Sequence, residues 1–224
     1  YKKGKEMGKA KVKRASTSID MTAMCDVYFL LLTFFVLTAT ARQPETLTVD
    51  TAPSYSQAKL PDGNVAMITV GDEGKVFFRM SDPNVRVQTL QQMASIYGVE
   101  FTPEEYGKFK GLEDFGVNMK TMKTLLSANE SERTAERQSG IPVDSTQNLS
   151  NELFSWVKQA RIASAKILKD NAIADGKDPD DIELLTVAIK ADADEKFPSL
   201  NLIIETLRNQ KQNKFSFVTG LKTD

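Results

Sequence analysis

Inside the most apolar stretch of the chain, SIDMTAMCDVYFLLLTFFVLTAT at residues 18–40, stands one carboxylate, Asp26, and it is the only charged residue between Met21 and Ala41. An ionised carboxylate in hydrocarbon costs about 2.5 to 3.5 kcal/mol on insertion scales, so such a residue persists by facing protein or water, or by holding a proton. Desolvation favours the protonated form of a carboxyl group. A carboxyl that can take up and release a proton is the basic part of a proton relay. At 100° per residue, Thr22, Thr33 and Thr40 fall within about 40° of Asp26, forming a polar stripe on a helix otherwise covered by residues such as Val27, Tyr28, Leu31, Phe34 and Phe35. A lone helix in lipid gains nothing from that stripe, whereas a helix packed among others can bond or admit water along it. The plain alternative is that Asp26, about 10 Å along the helix from Ile19, extends to the interface while the threonines bond their own backbone. Cys25 beside it reads as a small packing residue, because membrane burial holds thiols neutral.

The segment that positions Asp26 has 21 residues from Met21 to Ala41, roughly 30 Å as a helix and enough to cross a bilayer. Two other readings compete with a transmembrane helix over 18–41. A buried core helix conflicts with FLLLTFFVL being apolar on every face. A cleaved signal peptide is favoured by Ala39-Thr40-Ala41 and disfavoured by the long preceding arm and the internal acid. Residues 1–20 carry seven Lys or Arg against Glu6 and Asp20, and after the span only Arg42 appears before Lys59. The positive-inside rule therefore places a basic arm, 1–17, in the cytoplasm and the remainder on the far side.

The net charge of −1 divides into +5 over residues 1–20 and −6 over the rest. An acidic body argues against nucleic-acid binding. The chain has no histidine and one cysteine, which excludes His-based catalytic triads and an intramolecular disulfide. No Walker, Rossmann or nucleophile-elbow pattern is present, and no enzyme activity, cofactor or metal is expected. Asp192, Asp194 and Glu195 cluster after a strand, and DGKDPDDIE resembles a calcium loop superficially. Without the ligand positions of an EF-hand, both read as solvated loop charges.

Residues 42–63, rich in Pro, Ser, Thr and Asp, read as an extended linker. NVAMITVGDEGKVFFRM predicts a β-hairpin turning at Gly71–Gly74. DPNVRVQTLQQMASIYG predicts a helix ending at Gly98, with Val87, Leu90, Met93, Ala94 and Tyr97 on one face. At the far end LLTVAIKAD predicts a strand. FPSLNLIIETLRNQ predicts a helix burying Leu200, Ile203, Ile204 and Leu207. KFSFVTGL predicts a strand with Phe215 and Phe217 on one face. Between about 99 and 181, PEEYGKF, NMKTMKTLLSANESERTAERQ and LSNELFSWVKQARIASAKILKD all read as helical, the last with Leu149, Leu153, Val157, Ala160 and Ala163 or Ser164 aligned. The expected architecture is a single N-terminal transmembrane helix followed by an α+β domain at 64–224. That domain is a small mixed β-sheet with helices packed on it, plus a largely helical insertion.

The order IDMTAMCDVYFLLLTFFVLTAT after a basic arm resembles the signature span of the ExbD/TolR family of biopolymer-transport subunits, whose pattern reads IDMTPMVDVxFLLLIFF. Ala23 replaces the usual proline and Cys25 a small aliphatic residue, while the aspartate stays, at Asp26. The VAIKAD strand, helix and final strand also resemble the family's periplasmic domain. The resemblance implies a bacterial inner-membrane protein with a periplasmic body and Asp26 as proton carrier. It further implies a homodimer inside a ring of ExbB-like subunits, in contact with membrane lipid and working through its periplasmic domain on a TonB-like energy transducer. A TolR-like envelope role, a motility motor and a passive anchored binding module remain alternatives.

Overall fold

The computed structural model describes residues 21–39, 46–54, 63–178, 182–212 and 214–221. The chain divides into two compact units, 1–42 and 43–224. In the first, helix α1 spans Met21–Thr38. It is built from consecutive apolar residues without Gly or Pro, so nothing interrupts its hydrogen-bond ladder.

In the second unit, β2 (Val65–Gly71) and β3 (Lys75–Met80) form the antiparallel hairpin, with Ile68 opposite Phe78. The turn has Asp72, Glu73 and Gly74 all at positive φ, a geometry that favours Gly and short polar residues. β5 (Thr186–Ala191) lies parallel to β2, and β6 (Phe215–Val218) parallel to β5. A two-residue strand, β4 (Asp114–Phe115), pairs with β3. The sheet order is β4-β3-β2-β5-β6. The mixed sheet and its helices form the expected α+β arrangement.

Alternation sets the faces. Ala66, Ile68 and Val70 of β2, and Val76, Phe78 and Met80 of β3, point into one core. Helices α2 (Pro83–Tyr97), α3 (Pro103–Gly111), α5 (Glu152–Ala174) and α6 (Phe197–Asn209) all contribute to that core. Their starts carry clear signals. Asp82 accepts from Asn84 N–H at 2.7 Å, and Thr102 with Glu105 forms a capping box, each before a proline at the first helical position. Asn151, fully buried, caps α5 by accepting from Phe154 N–H at 3.0 Å, while its amide donates to Asp144 O, Thr146 O and Thr206 Oγ1. Arg86 is buried too. Its guanidinium donates to Met80 O, Ser81 O and Lys110 O, joining the ends of β3 and α3 to α2.

The residues beyond Val99 are woven into the main core. Trp156 of α5 sits 4.7 Å from Phe115 and 6.1 Å from Phe109, centroid to centroid, and Phe115 meets Phe78 edge-on. These rings tie α5, β4, α3 and β3 together.

Several local expectations need correction. In 118–138, helix α4 covers only Met122–Ser127, followed by two single 3₁₀ turns. Buried Gln138 accounts for part of this irregularity, because it accepts from Gly116 N–H and donates to Arg133 O. Leu149 precedes the cap of α5 and is exposed. In α2, Val85 takes the buried position and Val87 is half-buried, because the buried face repeats from 85 through 89/90 and 93/94. Phe217 is half exposed: β6 is an edge strand, and only Phe215 reaches the core.

The expected linker also differs. Leu47 and Val49 are buried on the other face of the sheet against Phe77. Thr46 donates through N–H and Oγ1 to the Asp114 carboxylate. Thr51 bridges to Asp192, Ala193 N–H donates to Asp50 O at 2.8 Å, and β1 (Pro53–Ser54) runs parallel to β7 (Gly220–Leu221). Gly71 makes room for this strap, since a Cβ there would lie 2.7 Å from Val49 Cγ1. Within the linker, residues 55–62 lie outside the described residues.

Candidate functional site

α1 carries the residue whose type and setting stand out. Its 18 residues, with mean hydropathy 1.8, make a rod about 27 Å long that by length and composition can cross a bilayer. No residue of α1 is buried, and Thr33 alone is half-buried. The apolar surface of this helix is therefore offered outward all round.

Asp26 lies in the second turn and is exposed. It forms no hydrogen bond or ion pair with another described residue. Any group that meets this carboxylate comes from outside the described chain. Of the three threonines placed on its stripe, Thr22 and Thr33 are on α1, and Thr40 lies outside the described residues. Thr33 Oγ1 donates to Leu30 O at 2.9 Å, so its proton is committed to the backbone and only its lone pairs face outward. Thr38, about 120° from Asp26 at 100° per residue, bonds Phe34 O in the same way at 2.7 Å. Leu30 and Leu37 fall about 40° and 20° from Asp26. The stripe is therefore interrupted, and Thr22 and Asp26 are its compact polar part. The basic arm at 1–17 lies outside the described residues.

The acids of the body do different work. Glu195 accepts from Gly74 N–H and Lys196 N–H, each at 3.1 Å, and Asp192 accepts from Asp194 N–H at 3.0 Å. They fix a turn beside Asp72 and Glu73. In DGKDPDDIE, Asp175 meets Lys177 at 3.6 Å, and 179–181 lie outside the described residues. Among the described residues no group of three or more His, Cys, Asp or Glu is placed to hold a metal ion.

Two arrangements escaped sequence reasoning. Glu152, at the first position of α5, is 8 % exposed and accepts from Met119 N–H at 2.8 Å. Burial raises its pKa, opposed by that hydrogen bond and by Lys120. An acid at a helix start is an ordinary dipole-compensating choice, and only the fold shows that it is inside. The strap was partly legible, since Thr46-Leu47-Thr48-Val49 alternates in the manner of a half-buried strand.

Residues 12–104 match the family model described as Biopolymer transport protein ExbD/TolR. This region belongs to the ExbD/TolR family. The match takes in all of α1 with Asp26, the strap, the β2–β3 hairpin and α2, and ends at the start of α3. The match of this region suggests an energy-coupling subunit of biopolymer transport, a class whose members work in membrane complexes. The N-terminal apolar helix fits a single-pass membrane protein of that family. No curated protein and no solved structure matches the chain.

Proposed function

We propose that this chain is the proton-carrying subunit of an ExbB–ExbD type motor in a bacterial inner membrane, converting proton motive force into mechanical work on a TonB-like protein. The observation that carries the reading is Asp26: one carboxylate, exposed on an apolar helix, inside the region that matches the family. The amino-terminal arm lies in the cytoplasm and the α+β body in the periplasm. Two copies of α1 sit within a ring of ExbB-like subunits, whose inner surface supplies the contacts that the isolated helix leaves open.

In this reading Asp26 is met alternately by a proton from the periplasmic side and by a path to the cytoplasm. Protonation removes the cost of placing the carboxylate against apolar ring surface, and deprotonation restores its preference for a polar contact. A charge crossing the membrane potential is worth about 2.3 kcal/mol per 100 mV. Coupled to alternating contacts, that energy favours one direction of motion. Thr22 and Thr33 offer oxygen acceptors along the path. No covalent substrate is turned over.

Asp26→Asn tests the proposal, because it keeps size and removes titration. Energy-dependent transport across the outer membrane is expected to fall to the level of a deletion strain while the protein accumulates normally. Retained transport at normal abundance would end the motor reading. Alkaline phosphatase fused within the body should be active, and inactive fusions would reverse the orientation.

A further inference from the structure

A trough of about 500 Å³ lies between α5 and the end of α6. One wall is the face of α5 that carries Lys158, Arg161 and Ile162. The other combines Leu184, before β5, with Gln210 and Lys211, after α6. All of the lining lies outside the family-matched residues 12–104, so family membership does not predict the site.

Three properties define what would fit. Each wall carries an apolar side chain open to solvent: Ile162 is 47 % exposed and Leu184 63 %. Large apolar side chains exposed together along a concavity mark contact surfaces more often than singly scattered ones do. The lining includes three cations and no Asp or Glu. The net charge of the unit that carries it has the opposite sign: residues 1–42 hold eight of the 29 Lys and Arg and three of the 30 Asp and Glu, which leaves 21 against 27 in residues 43–224, a net −6. Finally, the walls are braced. Gln210 Nε2 donates to Phe154 O at 2.7 Å, and Arg161 Nη1 to Gln210 O at 3.3 Å. The trough is thus held open by the fold and needs no ordering on binding, which lowers the cost of association.

We propose that this trough docks a segment of another protein in which apolar side chains alternate with carboxylates. The length fits such a segment. From Phe154 to Ala165 the α5 wall runs about 16 Å, equal to roughly five residues of extended chain. The charge distribution selects it over a lipid headgroup. A headgroup concentrates its charge on one phosphate, whereas Lys158 and Arg161 stand a turn apart on α5 and Lys211 lies beyond the end of a different helix. Cations spread among apolar walls match carboxylates spread along a peptide. Docking requires no ion movement through α1 and stands independently of the motor reading.

The test pans a phage-displayed library of random dodecapeptides against the full chain in detergent micelles, then measures enriched peptides by fluorescence polarisation. Enriched sequences are expected to combine Asp or Glu with Leu, Ile or Phe. Their affinity is expected to fall at least about tenfold, or about 1.4 kcal/mol, for the Lys158→Glu, Lys211→Glu pair and separately for Ile162→Ser. All three side chains are exposed, and an unchanged melting curve confirms that the fold is kept. No enrichment, enriched peptides without acidic residues, or affinities indifferent to these variants would overturn the proposal. Flotation with phosphatidylglycerol vesicles, using the body released from α1 by a protease site placed at 40–45, ahead of the strap, adds a further arm. Binding there that is lost in the same variants would make the occupant lipid and also overturn it.

Discussion

Two long helices, each with an acid near its start, make opposite use of the same materials. α5 buries Leu153, Trp156, Val157, Ala160 and Ala163 within its own domain and turns Glu152 inward to receive Met119 N–H. α1 buries none of its apolar side chains and presents Asp26 outward. In α5 apolar surface and acid together stabilise a fold. In α1 both are left for something else to complete. An acid met by the backbone of its own domain serves the fold, whereas an acid met only from outside serves whatever meets it.

The contrast predicts a double dissociation. Asp26→Asn should abolish coupled transport without altering the melting of the body. Trp156→Ala should do the reverse, costing the body about 3 to 5 kcal/mol through the lost ring and the cavity left among Phe109 and Phe115, measured by denaturant unfolding, with α1 still inserted in the membrane. If Trp156→Ala also removed α1 from the membrane, the two units would not be independent. Leu47→Ala is next in size. It should cost about 2 kcal/mol and speed hydrogen exchange at the Ala193 amide, which donates to Asp50 O, while the amides of β5 stay protected.

Glu152→Gln should have the smallest effect, and its sign depends on pH. The raised pKa means that the folded state holds this proton more tightly than the unfolded chain does. Glu152 therefore lowers stability as pH rises from the ordinary glutamate range through its folded value, and the loss persists above it. The glutamine keeps an acceptor for Met119 N–H and does not titrate. It should be more stable than the parent at neutral pH, and the difference should vanish in acid. A constant difference across pH would mean that Glu152 is not the titrating group.

The sequence disclosed most where one local rule governs. The hairpin at Gly71–Gly74, the cap-and-proline starts at Asp82 and Thr102, and the apolar run of α1 each follow from a few adjacent residues. What stayed hidden depended on distant partners. Nothing near Glu152 announces Met119 as its donor, and nothing in Thr46 points to Asp114, 68 residues away. Alternation put Phe217 on one face with Phe215 but did not report that the strand lies at an edge, where Phe217 is half exposed. The site divided in the same way. Asp26 as a candidate, and the Leu30 and Leu37 that interrupt its stripe, follow from position in the sequence, whereas the bond from Thr33 Oγ1 to Leu30 O needed the helix itself.

The strap that crosses the back of the sheet also determines where the body begins as an object that can be handled. A fragment started at Asn64, where the periodic pattern opens, would leave Phe77 uncovered, deprive the Ala193 amide of Asp50 O and remove the partner of β7. Such a fragment carries an exposed apolar patch and a vacated strand edge, both of which promote self-association. A fragment started ahead of Thr46 retains its own cover. The behaviour of the body in solution, including any apparent oligomerisation, will therefore depend on a boundary drawn about twenty residues before its first long strand.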